Sequence, residues 1–295
     1  MNQRNSDMTA LVSIYIPTKN RVSLLERAVN SVLTQTARNL ELIVVSDGSQ
    51  DGTCDYVRSI QGEIPVRLIH NPVSVGACSA RNQAIEVAQG EFITGLDDDD
   101  FFMPHRIERF LQGWRRMERE GLSFSCLFDS RIVDDGPHVF GANTDDAIDA
   151  EQILYSNAVG NQVFTTRERM VAVGMFDPVM PAWQDWEMWV RLLKQFGPAR
   201  NIQCKSYYSD ISHEFERITS KSPDKILRTA QLFYNKHCSP SHLPAMLMAL
   251  ESYPQVRLTM KDLMTLVLAK QPRVVARSVL KGKMSLSFAS SLAPA

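Results

Sequence analysis

Between Leu11 and Leu96 short apolar runs alternate with amphipathic ones, and this pattern restricts the chain to a layered α/β architecture with a mostly parallel sheet. Leu11-Val12-Ser13-Ile14-Tyr15-Ile16 reads as a strand stopped by Pro17, after which Leu24, Leu25, Ala28, Val29, Val32 and Leu33 recur at helical spacing. A second buried strand, Leu40 to Val45, breaks into the turn and cap residues Ser46-Asp47-Gly48-Ser49-Gln50-Asp51-Gly52-Thr53. Val66 to Ile69 makes a third, followed by a loop through Gly76, a helix from about Ser79 to Ala88, and Gly90 as its C′ residue. A fourth, Glu91 to Leu96, runs straight into Asp97-Asp98-Asp99-Asp100. In open α/β sheets ligands bind beyond the carboxyl ends of the strands, so the turns after Ile16, Val45 and Leu96 are expected to converge.

Further on, the spacing predicts a charged helix from Pro104 to about Glu120, a strand within Phe124 to Val133, and an acidic loop from Asp134 to Asp149. A helix near Glu151 and an apolar stretch around Val163 follow. Trp183-Gln184-Asp185-Trp186-Glu187-Met188-Trp189 opens a helix that ends at Gly197, and from about Ser222 the chain reads as wholly helical.

Composition narrows the function. A formal charge of -1, from 32 basic and 33 acidic residues, leaves no global basic field for nucleic acid. The five cysteines are scattered and form no C-x-x-C pair, which argues against a disulfide framework or a zinc knuckle. Met1 to Thr9 is polar, unlike a signal peptide, and no apolar stretch of about 18 residues is present to span a bilayer. A cytoplasmic location is the expectation.

The aspartate run needs a positive partner, because like charges a few ångströms apart raise one another's pKa. Mg²⁺ or Mn²⁺ suits such hard oxygen donors, bound through one or two carboxylates together with substrate phosphates. The bland alternative is a solvated acidic loop, or an N-cap cluster leading into Pro104-His105-Arg106. Neither G-x-G-x-x-G after the first strand nor G-x-x-x-x-G-K-[ST] occurs, which disfavours a dinucleotide-dependent dehydrogenase and a Walker-type NTPase. A nucleotidyltransferase would need a Gly-rich loop where Pro17-Thr18-Lys19-Asn20 stands.

Four local patterns occur in order: Ile16-Pro17-Thr18-Lys19-Asn20; Val45-Ser46-Asp47-Gly48-Ser49 with Asp51-Gly52-Thr53; Gly76 with Ala80-Arg81-Asn82; and Leu96-Asp97-Asp98-Asp99-Asp100 with Pro104. Together they resemble the nucleotide-sugar-binding half of an inverting family 2 glycosyltransferase with the GT-A fold, of the non-processive bacterial type. Gln184-Asp185-Trp186-Glu187 resembles the acidic motif that supplies that family's catalytic base. The resemblance implies a Rossmann-like central sheet flanked by helices, in a domain over residues 1–220. Within it, 11–104 would bind the nucleotide sugar, 105–220 would supply acceptor site and base, and 221–295 would form a helical extension.

It also implies roles. Thr18 and Asp47 would line the nucleobase pocket, with Asp47 accepting the uracil ring N–H and so favouring a UDP-sugar, and Pro17 and Asn20 would also bind the donor. Arg81 would pair with the diphosphate, Asp97 would sit near ribose or sugar, Asp98 would also contact the donor, and Asp99 would bind the metal. Asp185 would be the general base on the face opposite the leaving group, beside tryptophans suited to stacking on sugar. His213 matches a region where some relatives place a metal-binding histidine. Each has a structural alternative: an Asx turn at Asp47, a solvated helix arginine at Arg81, a helix N-terminal carboxylate among core tryptophans at Asp185, a structural histidine at His213.

The activity implied is metal-dependent transfer of one sugar to a glycan or lipid-linked acceptor in surface polysaccharide or lipopolysaccharide assembly. The alternative is a non-catalytic nucleotide-sugar or glycan-binding protein that keeps the fold. Residues 257–283 hold seven cations against one acid, Asp262, among interspersed apolar residues. They suit either an amphipathic helix on anionic lipid at the inner face of the membrane, or a helix packed on the catalytic domain with a solvated basic face.

Overall fold

The computed structural model describes residues 10–134, 139–142, 145–212, 222–285 and 292. Four parallel strands form its first half: β1 (Val12–Thr18), β2 (Leu40–Asp47), β3 (Val66–Asn71) and β4 (Phe92–Gly95). The crossovers hold helices α1 (Val22–Leu33), α2 (Thr53–Ser59) and α3 (Ala77–Val87). β5 (Phe101–Phe102) and α4 (Arg106–Arg119) follow, then β6 (Cys126–Phe128), β7 (Arg131–Asp134), β8 (Val139–Ala142), β9 (Ala147–Ile148) and β10 (Phe164–Thr166). After α5 (Arg167–Ala172) and α6 (Gln184–Phe196) come β11 (Ala199–Asn201) and β12 (Tyr207–Asp210).

The main sheet has the order β3-β2-β1-β4-β10-β6-β11-β9, and only β10 and β9 run against the others. A second sheet, β5-β12-β7-β8, stands beside it. Burial on both faces explains why the first strands read as continuous apolar runs. Val12, Ile14 and Ile16 point into one apolar layer with α1 and α4, whereas Tyr15 and Val45 point into the other with α3 and α6.

Several expectations change. Gly90 does not cap α3: Ala88 takes the C-cap position with extended backbone. Gly90 is a glycine for space, since a Cβ there would come within 2.7 Å of Ser13 N and Phe92 O. Residues 134–149 are not all loop, because β8 pairs antiparallel with β7 and β9 pairs with β11. The helix near Glu151 is one 3₁₀ turn, Gln152–Leu154.

The C-terminal part holds α7 (Pro223–His237), α8 (Leu243–Glu251), α9 (Met260–Leu268) and α10 (Pro272–Leu280). It is not wholly helical, because β13 (Leu258–Thr259) and β14 (Met284–Ser285) pair in parallel. Its Ile226, Phe233, Leu247 and Leu250 join the apolar layer that contains α6. The ring centroid of Phe233 lies 4.6 Å from that of Trp186 and 5.8 Å from that of Trp183.

Candidate active site

The strand ends meet because turn residues stitch them together. Asn20, at φ 53°, donates its N–H to Ser49 Oγ (3.0 Å) and accepts from Gln50 N (2.7 Å), while Asp51 accepts from Val22 N (2.9 Å). These bonds join the end of β1 to the end of β2. Thr18 Oγ1 donates to Asp98 Oδ2 at 2.7 Å and joins β1 to the aspartate run after β4. Pro17 completes the end of β1 opposite Val45. The three polar turns expected to converge do so.

Asp47, the last residue of β2, accepts from Asn71 Nδ2 (3.1 Å), Ser74 Oγ (2.6 Å), Val75 N (2.8 Å) and Gly76 N (3.0 Å). Burial alone would raise its pKa, but these four donors lower it, so the carboxylate stays charged and fixes the loop 72–76. Gly48 meets that loop closely, a Cβ there lying 2.9 Å from Ser74 N.

The four aspartates alternate in depth. Asp98 and Asp100 are 6% and 2% exposed, whereas Asp97 and Asp99 stand closer to solvent. Arg21 Nη1 lies 3.1 Å from Asp98 Oδ1 and 3.3 Å from Asp99 Oδ2. Arg27 donates to the Asp99 carbonyl (2.5 Å) and pairs with Asp210 at 2.7 Å. Asp100 accepts from Tyr207 OH (2.7 Å), Asp210 N (2.9 Å) and Asn161 Nδ2 (3.1 Å), which fastens the run to β12. Asp97 receives Arg81 Nη2 (3.2 Å), Gln162 Nε2 (3.0 Å) and Asn161 Nδ2 (2.8 Å). Burial and the charge of Asp99 push Asp98 up to about 6 and raise Asp100 well above the carboxylate range.

That strain is of the kind a cation relieves. Among the described residues no three of His, Cys, Asp and Glu gather into a closed metal cage. Asp99, at the edge of the rim, has the hard oxygens that suit a divalent ion, and Arg21 Nη1 lies 3.3 Å from its Oδ2. His213 lies outside the described residues.

Asp185 lies in the first turn of α6, where the helix N-terminus favours a negative charge. Its Oδ2 accepts from Asn157 Nδ2 at 2.9 Å. Burial raises its pKa, opposed by the Trp186 backbone N–H and by Arg81. It lines a cavity of about 470 Å³ with Tyr155, Trp183, Met248 and Tyr253. A larger cavity, about 780 Å³, lies at the opposite ends of β2 and β3. The carboxylate there, Glu41, is already held by Ser13 Oγ and by the N–H groups of Gln89 and Gly90.

Arg81 connects the two regions, giving Nη2 to Asp97 and Nη1 to Gln184 Oε1 at 2.9 Å, one residue before Asp185. Its guanidinium lies 5.4 Å from the Phe176 ring centroid. Thr18, Arg81, Asp97, Asp98 and Asp185 thus belong to one connected polar region, with Asn20 and Asp47 along its β2 edge. Sequence reasoning passed over Arg21, Arg27, Asn157, Asn161, Gln162, Tyr207 and Asp210. The one signal available was the pair of cations that follows β1.

Glu187 anchors α6. It is 1% exposed and pairs with Arg191 (2.7 Å) and His237 (3.0 Å). Burial would raise its carboxyl, but hydrogen bonds from His237 and Arg191 and the charges of Arg191 and Lys236 hold it at about 2. With a folded pKa below the ordinary 4.5, this stabilisation is complete above that pH and disappears as pH falls toward 2. Its size is about 3 kcal/mol. Glu187→Gln is therefore expected to lose at least that much at neutral pH and to show a shallower stability loss on the acid side, read from urea unfolding at several pH values. Equal acid dependence in both chains would contradict this.

The mostly parallel sheet thus ends in an acidic rim that Arg81 links to Gln184, the residue before Asp185 in the cavity wall. Residues 13–139 match the family model for glycosyl transferase family 2. The chain is 34% identical over 234 residues to WcaA of Escherichia coli, named for colanic acid biosynthesis, covering 77% of this chain and 81% of that one. It is 32% identical over 224 residues to TuaG of Bacillus subtilis, named for teichuronic acid biosynthesis, covering 73% and 85%. Among solved structures, TarS of S. aureus in complex with UDP-GlcNAc superposes with a TM-score of 0.65 over 92% of each chain at 16% identity. The chain belongs to glycosyltransferase family 2.

Proposed function

We propose that this protein moves one sugar, with inversion at the anomeric carbon, from a UDP-sugar to a glycan or lipid-linked acceptor in surface polysaccharide or lipopolysaccharide assembly in the cytoplasm. The naming of WcaA and TuaG for polysaccharide biosynthesis supports the setting. The single observation that carries the chemistry is the chain of contacts Asp97–Arg81–Gln184, which holds the acidic rim and the Asp185 cavity in fixed relation.

In this reading the loop 72–76 and the turns at Pro17, Thr18 and Asn20 receive the uridine; Asp47, whose two oxygens already accept from four donors of its own fold, holds that loop in place of taking the uracil ring N–H. Arg81 meets the diphosphate, and Asp97 and Asp98 face ribose and sugar. Asp99, with His213 as a second proposed ligand, holds Mn²⁺ or Mg²⁺, which when bound offsets negative charge on the departing diphosphate. A Mn²⁺ ion is present in the mannosyltransferase PcManGT from Pyrobaculum calidifontis, which shares the fold at a TM-score of 0.55.

The acceptor enters the cavity beside Asp185, where Tyr155 and Tyr253 offer faces to a pyranose ring; Trp183 and Trp186 are 7% and 5% exposed and Trp189 is fully buried, so the tryptophans are core and not the stacking surfaces expected. Asn157 holds one Asp185 oxygen, so the carboxylate is oriented as it takes the acceptor hydroxyl proton during attack. The test is a thermal-shift panel of nucleotide sugars with and without Mn²⁺. A UDP-sugar should stabilise the chain, and more strongly with Mn²⁺. Equal response to every nucleotide, or no effect of Mn²⁺, would contradict the assignment.

A further inference from the structure

The cations of residues 257–283 are not equivalent. Arg277 lies 2.6 Å from buried Glu251, and Lys283 Nζ donates to the Glu251 carbonyl at 2.5 Å, so both are spent inside the fold. The one acid of the segment, Asp262, is buried and caps α9 through Thr259 N (2.9 Å) and Thr259 Oγ1 (2.7 Å). Arg257, Lys261, Lys270, Arg273 and Lys281 remain exposed, and none of them has an ion-pair partner among the described residues. The exposed charges of residues 257–283 are therefore all positive.

The same segment also exposes large apolar side chains. α9 and α10 touch each other, and both pack on α8. α9 turns Leu263 and Leu266 inward, and α10 turns Val274 and Ser278 inward. The opposite stripes present Leu268 at 82% exposure, Leu280 at 86% and Met264 at 62%, with Val267 and Val279 at their flanks. Single exposed leucines are ordinary, but five large apolar side chains on two touching helices, with Lys261, Lys270, Arg273 and Lys281 among them, form a patch that water solvates poorly. No helix among the described residues is long and apolar enough to cross a membrane.

We propose that the outward face of α9 and α10 docks this protein on an anionic lipid bilayer, the leucines and Met264 entering the acyl boundary and the cations meeting lipid phosphates. Charge complementarity selects this occupant: a second copy of the same face would bring cations against cations, while an anionic bilayer attracts each of them. α8 links the face to the site, since it packs beneath both helices and gives Met248 to the cavity at Asp185. The inference does not depend on which donor is used, and its test is independent of catalysis.

The full chain is floated with vesicles of phosphatidylcholine alone and of phosphatidylcholine mixed with phosphatidylglycerol. It should float with the mixed vesicles only and be released by salt. K270E with R273E should weaken that binding by about fivefold for each cation lost, and L268S with L280S should abolish it while leaving far-UV circular dichroism unchanged. Absence of the native chain from mixed vesicles would overturn the proposal. So would charge-reversed protein that floats as well as native, or a dimer in sedimentation velocity that L268S with L280S dissociates while vesicle binding is missing.

Discussion

Asp185→Asn is expected to bind UDP with unchanged affinity and to transfer sugar about 10²–10⁴-fold more slowly, the scale on which a general base contributes. The substitution preserves shape and the contact with Asn157 Nδ2 in the alternative amide orientation, so it removes proton-accepting power and little else. Initial rates of UDP release with acceptor present, set beside calorimetric UDP affinity, separate the two effects. Because burial raises the pKa of Asp185 and the base must be ionised, the native rate should fall as pH drops, at a higher pH than an unperturbed aspartate would give. Native turnover by the Asp185→Asn chain would remove the assigned role.

Arg81→Met should be the most damaging single change to the site. Asp97 would lose its cation and Gln184 its donor, and Asp185 would lose the charge that opposes its raised pKa. Removing one member of a largely buried charge pair costs about 3–5 kcal/mol, far above the roughly 0–1 kcal/mol of a surface pair. The acid limb of the pH–rate profile should also move upward, since Asp185 would protonate more readily. Urea midpoints and pH profiles of the two chains measure both consequences. A stability change below about 0.5 kcal/mol would show that Arg81 is a solvated helix residue after all.

The parallel strands were legible because burial on both faces writes long apolar runs, and the base helix because Trp186, Trp189 and Leu193 recur on one side of it. The aspartate run announced itself by charge density. What the sequence concealed were the groups that hold those aspartates. Asn161 and Gln162 sit in a loop without periodicity, and their bonds to Asp97 span about sixty residues of chain, a distance that no local pattern encodes. The two-residue strands β5, β9, β13 and β14 are too short to show alternation, so the region from 134 to 149 read as loop and the C-terminus as helix throughout. Gly90 looked like a cap because it follows a helix, whereas its reason is a close approach to β1 that only coordinates reveal.

Closure of the strand ends around a cation that grips a diphosphate is tested most directly by calorimetric titration of UDP into the native and Asp99→Ala chains, each with and without Mn²⁺. The native chain should bind UDP at least tenfold more tightly with Mn²⁺, about 1.4 kcal/mol, and Asp99→Ala should abolish that difference. Equal UDP affinity in all four titrations would contradict it.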